Sequence, residues 1–197
     1  MNKRQLIEFH EKYAKDTGIK FIEERHWGIF NTYLRYVLNR YLKKYSVLVP
    51  NLSEVCRPKI LKNIVILDYN IGDSKVGWKK QLCVAVHEGE HALQMRDFVS
   101  KGGRIADWYL QYFRDREFRA IQEGNAIATE AEVEYVLSGK IPSLPNLEDY
   151  YVGSEGQKLS NRTYQKRIDR IKELGKGGTT TPASMRALQI LRSMKIL

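Results

Sequence analysis

Apolar residues recur at helical spacing over most of this chain, and one short β-branched stretch breaks that rhythm. Residues 3–16 and 27–45 read as helices. In the second, Trp27, Phe30, Leu34, Val37, Leu38 and Leu42 form a stripe, with Arg35, Arg40, Lys43 and Lys44 on the remaining surface. Asp16-Thr17-Gly18 between them is turn chemistry, and Pro50 and Pro58 punctuate the connection that follows. Ile64-Val65-Ile66-Leu67, closed by Asn70, Gly72 and Asp73, predicts a strand buried on both faces. A helix follows from about Gly77 to Val99 and ends near Gly102-Gly103. Residues 104–113 fit either a strand or a short helix. A further helix runs from about Asp115 to Leu137 and stops before Ser138-Gly139 and Pro142.

The tail holds two more predicted helices. Residues 158–174 carry Lys158, Arg162, Lys166, Arg167, Arg170 and Lys172. The last helix starts at Thr181-Pro182, an N-cap followed by proline at the first helical position. Many helices with one clear strand predict an α+β, helix-dominated fold. At 197 residues the expectation is a single domain over 1–197. It would have N-terminal helices over 1–45, a central part at about 60–140 and basic C-terminal helices over 146–197.

Composition narrows the class. An apolar fraction of 43%, with three Trp, twelve Tyr and six Phe, excludes a disordered chain. The opening MNKRQLIEFHEKYAK has basic residues but no apolar h-region, and no stretch has the apolar length of a membrane span. A soluble cytoplasmic protein is the expectation. Cys56 and Cys83 are expected to be reduced thiols, and are too few and too far apart for a zinc ribbon. The 33 Lys and Arg against 23 Asp and Glu give a formal +10, which keeps nucleic acid, an anionic surface or an acidic substrate in play.

The chemistry lies in Val86-His87-Glu88-Gly89-Glu90-His91-Ala92, an HExxH match. Residues four apart share one helix face, so His87 and His91 can aim a ring nitrogen at one zinc ion. Glu88, about 100° round the wheel, sits beside the metal, placed to accept a proton from zinc-bound water. Leu82, Val84, Ala85, Val86, Leu93 and Met95 predict that this helix is largely buried. Gly89 inside it is costly, by about 1 kcal/mol relative to Ala, so a backbone or substrate is expected to approach closely there.

Catalytic zinc needs a third protein ligand and one open position. His10 and His26 lie far upstream and no histidine follows His91, so a downstream carboxylate is the natural candidate. The predicted helix at 115–137 offers Glu117, Glu123, Glu130, Glu132 and Glu134. At about 100° per residue, Glu123, Glu130 and Glu134 fall within about 40° of one another and Glu132 points nearly opposite. Ile127 and Leu137 share the face of the first three, which argues that part of it is covered. Cys83, one turn before His87, is read as a small core residue. Tyr109, Tyr112 and Tyr135, or an arginine among Arg114, Arg116 and Arg119, are candidate oxyanion donors.

HEGEH followed by Glu123-Gly124-Asn125-Ala126-Ile127-Ala128-Thr129-Glu130 resembles the gluzincin pattern of zinc metallopeptidases. The EGNAIATE stretch is similar to the glutamate helix of compact ImmA/IrrE-like metallopeptidases and of small peptidase-like proteins of bacterial and phage genomes. The resemblance covers roughly residues 60 to 140 and departs from the usual pattern at Gly124 and in the Gly-Glu pair of HEGEH. It implies a zincin-like core with Zn2+ held by His87, His91 and Glu123. Glu130 would support the ligands or be the alternative one, and Glu88 would be the catalytic group. It implies a protein or peptide substrate, and that the strand at 63–69, or the segment after it, lines the cleft and could pair with an extended peptide. Beside this stands a non-proteolytic reading, a metal-bearing regulatory module that contacts nucleic acid through its basic surface, and a zinc amidase or esterase acting on a non-peptide bond.

Overall fold

Asn2 opens the first helix with a capping box. Its side chain accepts the Gln5 N–H at 2.9 Å, while the Gln5 side chain accepts the Asn2 N–H at 2.9 Å. The helix, α1 (Lys3–Thr17), ends on Gly18 in the left-handed region at φ 71°, where the DTG turn was expected. Its last carbonyls are not left to water: Arg96 donates to Thr17 O and Arg186 to Asp16 O. Two cations at a helix C-terminus also complement its dipole. The computed structural model describes residues 1–23, 59–61, 64–67, 70–140, 142, 158, 161–163, 165–166, 169 and 181–197. The predicted helix at 27–45, Cys56, and most of 141–180 therefore lie outside the described residues.

Among the described residues three short strands follow α1: β1 (Lys20–Ile22), β2 (Lys59–Leu61) and β3 (Ile64–Ile66). β3 is central, parallel to β1 with Phe21 opposite Val65, and antiparallel to β2 with Ile60 opposite Val65. Val65 and Leu67 are buried, in keeping with the β-branched run. Of the two places expected to pair with an extended peptide, the strand itself or the segment after it, the strand is ruled out. Both hydrogen-bonding edges of β3 are already taken by β1 and β2, so it has none to offer.

The HEGEH motif lies on α2 (Trp78–Ser100). Gly77 gives this helix no side-chain cap; Gln81 fixes its entry instead. The Gln81 amide accepts the Gly72 N–H at 2.8 Å and donates to Asp73 O at 2.9 Å and Val76 O at 2.6 Å. α2 packs against α1, β2 and the helices Ile105–Arg114, Arg116–Ser138 and Pro182–Ser193, which is why apolar residues surround it rather than forming one stripe. Gly89 has its explanation in α1. A Cβ at residue 89 would collide with the Tyr13 ring and hydroxyl, so the close approach comes from a side chain of the fold and not from backbone or substrate. Tyr13 is buried and stacks on Phe9 at 5.5 Å and 12°.

Residues 104–113 resolve as a helix, α3 (Ile105–Arg114), since Ile105, Trp108, Tyr109 and Tyr112 recur with the helical period. Asp115 closes α3 and caps α4 (Arg116–Ser138), accepting the N–H groups of Glu117 at 2.9 Å and Phe118 at 3.0 Å. α4 ends on Gly139, as its sequence predicts, and lies along α2. The last helix, α5 (Pro182–Ser193), begins at Thr181, whose hydroxyl accepts the Ser184 N–H at 3.0 Å. It packs against α1, α2 and α4 through Ala187, Leu188 and Leu191. The described part is helix-dominated with a small sheet. None of its helices is long and apolar enough to cross a membrane. In the basic segment 158–174, Lys158, Arg162 and Lys166 are helical and exposed.

Candidate metal centre

The packing of α2 on α4 brings His87, His91 and Glu123 together. One donor atom from each lies within 4.8 Å of the others, so this group could hold a metal ion. His87 Nε2 is 3.7 Å from Glu123 Oε2, and His91 Nε2 is 3.5 Å from Glu123 Oε1. A tetrahedral ion with ligands at about 2.0–2.2 Å sets its donors roughly 3.3–3.6 Å apart. The two separations, which run to different oxygens of Glu123, lie near that range. The rings of His87 and His91 stand 5.0 Å apart at 80°, as expected for residues one helical turn apart on a common face.

The other nitrogen of each ring is engaged elsewhere. His91 Nδ1 lies 2.9 Å from Gln94 Oε1, and the Gln94 amide nitrogen donates to Gln122 O at 3.2 Å. That second bond fixes which way the Gln94 amide faces, so His91 Nδ1 donates to Gln94 and Nε2 is the nitrogen turned toward Glu123. His87 Nδ1 faces Glu130 Oε2 at 3.4 Å. A ligating histidine steadied by a carboxylate or amide on its outer nitrogen is a common feature of metal sites. Glu130 thus sits behind His87, outside the three-residue group, while Glu134 is half-buried farther along the face.

The imidazoles and carboxyl groups of the site shift one another's protonation. Burial alone would lower His87, but the carboxyl groups of Glu130, Glu88 and Glu123 outweigh it and raise its pKa to about 9. His91 is raised likewise, against its burial, chiefly by Glu123. Burial works against the charge on Glu123, yet His91, His87 and the Tyr112 hydrogen bond hold its carboxyl down at about 2. Protons on the two imidazoles are those a divalent ion would displace. Glu88, buried beside them, is pushed up to about 7 by its burial, against the opposing pull of His87 and His91.

Glu123 Oε2 is buried with no hydrogen-bond partner among the described residues. A buried carboxylate oxygen without a donor is costly, and a cation at the His87–His91 side would satisfy it. Two imidazoles and a carboxylate also suit a divalent transition ion. Exposure rises from 6% and 7% at the Glu123 and His91 side chains to 14% at His87 and 36% at Glu130. Among the described residues, solvent therefore reaches the group from the His87–Glu130 side.

No family model matches this chain, and neither a curated protein nor a solved structure does. The geometry alone sorts the remaining candidates. Of the three tyrosines, Tyr112 reaches the group, donating its hydroxyl to Glu123 Oε1. Tyr109 packs on Trp108 and Phe113, and Tyr135 is half-buried near the end of α4. Arg119 donates to the Tyr112 and Phe113 carbonyls at 3.4 and 3.5 Å, while Arg114 and Arg116 are exposed. Cys83 is free and buried, and burial pushes its thiol well up. Sequence reasoning missed Gln94, whose signal was its position one turn beyond His91. Glu132 points away from the group, as its position on the wheel predicts, and is buried against Thr181 and Ser184.

Proposed function

We propose that this chain is a zinc-dependent metallopeptidase. The observation that carries the reading is the convergence of His87, His91 and Glu123 with a buried carboxyl, Glu88, beside them. The HEGEH and EGNAIATE motifs, which resemble those of gluzincins, support it. A zinc ion held by the three ligands would polarise a substrate carbonyl and acidify water. Glu88 would take the proton from the water that attacks the carbonyl and deliver it to the leaving nitrogen as the C–N bond breaks. A carboxyl pushed to about 7 by burial is suited to both transfers near neutral pH. Glu130 and Gln94 would keep the two imidazoles oriented, and the His87–Glu130 side is where a peptide would enter.

The test is Glu88→Gln, assayed for metal content and for cleavage of a mixed peptide library. The variant keeps its zinc and loses cleavage by about 100-fold or more. A Gln variant that cleaves as the wild type does removes the role given to Glu88. The formal +10 supports a second reading, a non-proteolytic module that contacts nucleic acid. Salt-dependent DNA or RNA binding that survives His87→Ala, in a chain that cleaves nothing, would select it.

A further inference from the structure

The two oxygens of Glu123 have different surroundings. Oε1 receives the Tyr112 hydroxyl and stands 3.5 Å from His91 Nε2, whereas Oε2 is buried with no hydrogen-bond donor among the described residues and faces His87 Nε2 at 3.7 Å. Tyr112 is itself held on several sides. Its ring stacks on buried Trp108 at 5.0 Å and 15°, and stands edge-on to His91 at 6.0 Å and 83°. Its backbone carbonyl accepts from Arg119 of α4, which ties the end of α3 to the helix that carries Glu123. The phenol therefore reaches Glu123 from a packed helix rather than from a loop.

We propose that Tyr112 is a positioning residue of the metal centre: it occupies Glu123 Oε1 and leaves Oε2 as the single oxygen offered to a divalent cation. This rests on the metal-site reading above and adds how the third ligand is presented. One-oxygen ligation matters because hydrolytic sites need three protein donors and a vacant position. A carboxylate free to engage with both oxygens would fill that position. Phenylalanine at 112 retains the stack on Trp108 and removes only the donor, leaving Oε1 buried and free to turn toward the ion.

The experiment loads the full chain with cobalt(II) as a spectroscopic stand-in for zinc. It compares wild type and Tyr112→Phe by chelator competition and by visible absorption, with thermal unfolding to establish that the variant is folded. Metal affinity is expected to fall by about 10- to 100-fold, the usual cost of losing an outer partner. The cobalt bands should weaken as coordination number rises, a change that a merely structural role would not produce. X-ray absorption on the zinc-loaded wild type needs no variant and should show one carboxylate oxygen at ligand distance. A folded Tyr112→Phe with wild-type affinity and spectrum, or two-oxygen ligation in the wild type, overturns the assignment alone. A wild type that takes up neither cobalt nor zinc overturns it together with the metal site.

Discussion

α4 carries two buried glutamates on opposite faces, and their surroundings separate a carboxyl that builds the fold from one that is available to a ligand. Glu132 is 0% exposed and Glu123 is 4% exposed, so burial does not distinguish them. Their partners do. Glu132 Oε2 accepts from the Thr181 hydroxyl at 3.1 Å and from the Ser184 hydroxyl, at the N-terminus of α5, where helix N–H groups and dipole favour an acid. Thr129, one turn earlier on α4, donates to Thr181 at 3.2 Å and completes that cluster. Glu123 has one hydroxyl on Oε1, no donor on Oε2, and two imidazoles in front of it. Unmet hydrogen-bonding capacity, rather than burial, marks the residue with something left to bind.

This contrast can be broken from either side. The largest effect on stability is expected at Glu132. Glu132→Ala strands the hydroxyls of Thr181 and Ser184 and loosens α5, costing about 2–4 kcal/mol in urea unfolding. Its affinity for zinc should stay within a few-fold of wild type. A Glu132→Ala protein that loses zinc as Glu123→Ala does would show that the two ends of α4 are not separable.

A smaller effect sharpens the Glu123 side through pH. In metal-stripped protein His87 is raised from 6.5 to about 9, burial being outweighed by its carboxyl neighbours. A histidine raised in the folded state contributes stability that is full below about 6.5 and is lost as pH rises through about 9. Glu88, raised from 4.5 to about 7 mainly by burial, adds a loss of the same sign between those two values. The unfolding temperature of stripped protein should therefore fall from pH 6.5 to 9, and saturating zinc should remove that fall. A stripped protein with a level profile over that range would contradict the charge arrangement described for the site.

How much of this was legible beforehand depended on how far each feature reaches along the chain. The spacing of His87 and His91 is a local property of one helix, and so is the shared face of Glu123 and Glu130. The caps at Thr181 and Gly139 were legible for the same reason. Gly89 could be flagged but not explained, because Tyr13 approaches it from a different helix. The partners of Glu132 lie on α5 and fall within no local pattern. Tyr112 could not be separated from Tyr109 and Tyr135 without the packing of α3 on α4. β1 and β2 escaped because three residues carry too little periodicity to register. In residues 104–113 the helical recurrence of Ile105, Trp108, Tyr109 and Tyr112 is offset by an aromatic content that also suits a strand.

The most direct test is zinc stoichiometry by elemental analysis on wild type and Glu123→Ala, after zinc loading and desalting. The account predicts about one zinc per wild-type chain. In the variant, affinity should drop by more than the 10- to 100-fold typical of an outer partner, so that little zinc survives desalting. Full zinc in Glu123→Ala, or none in wild type, would contradict the metal centre.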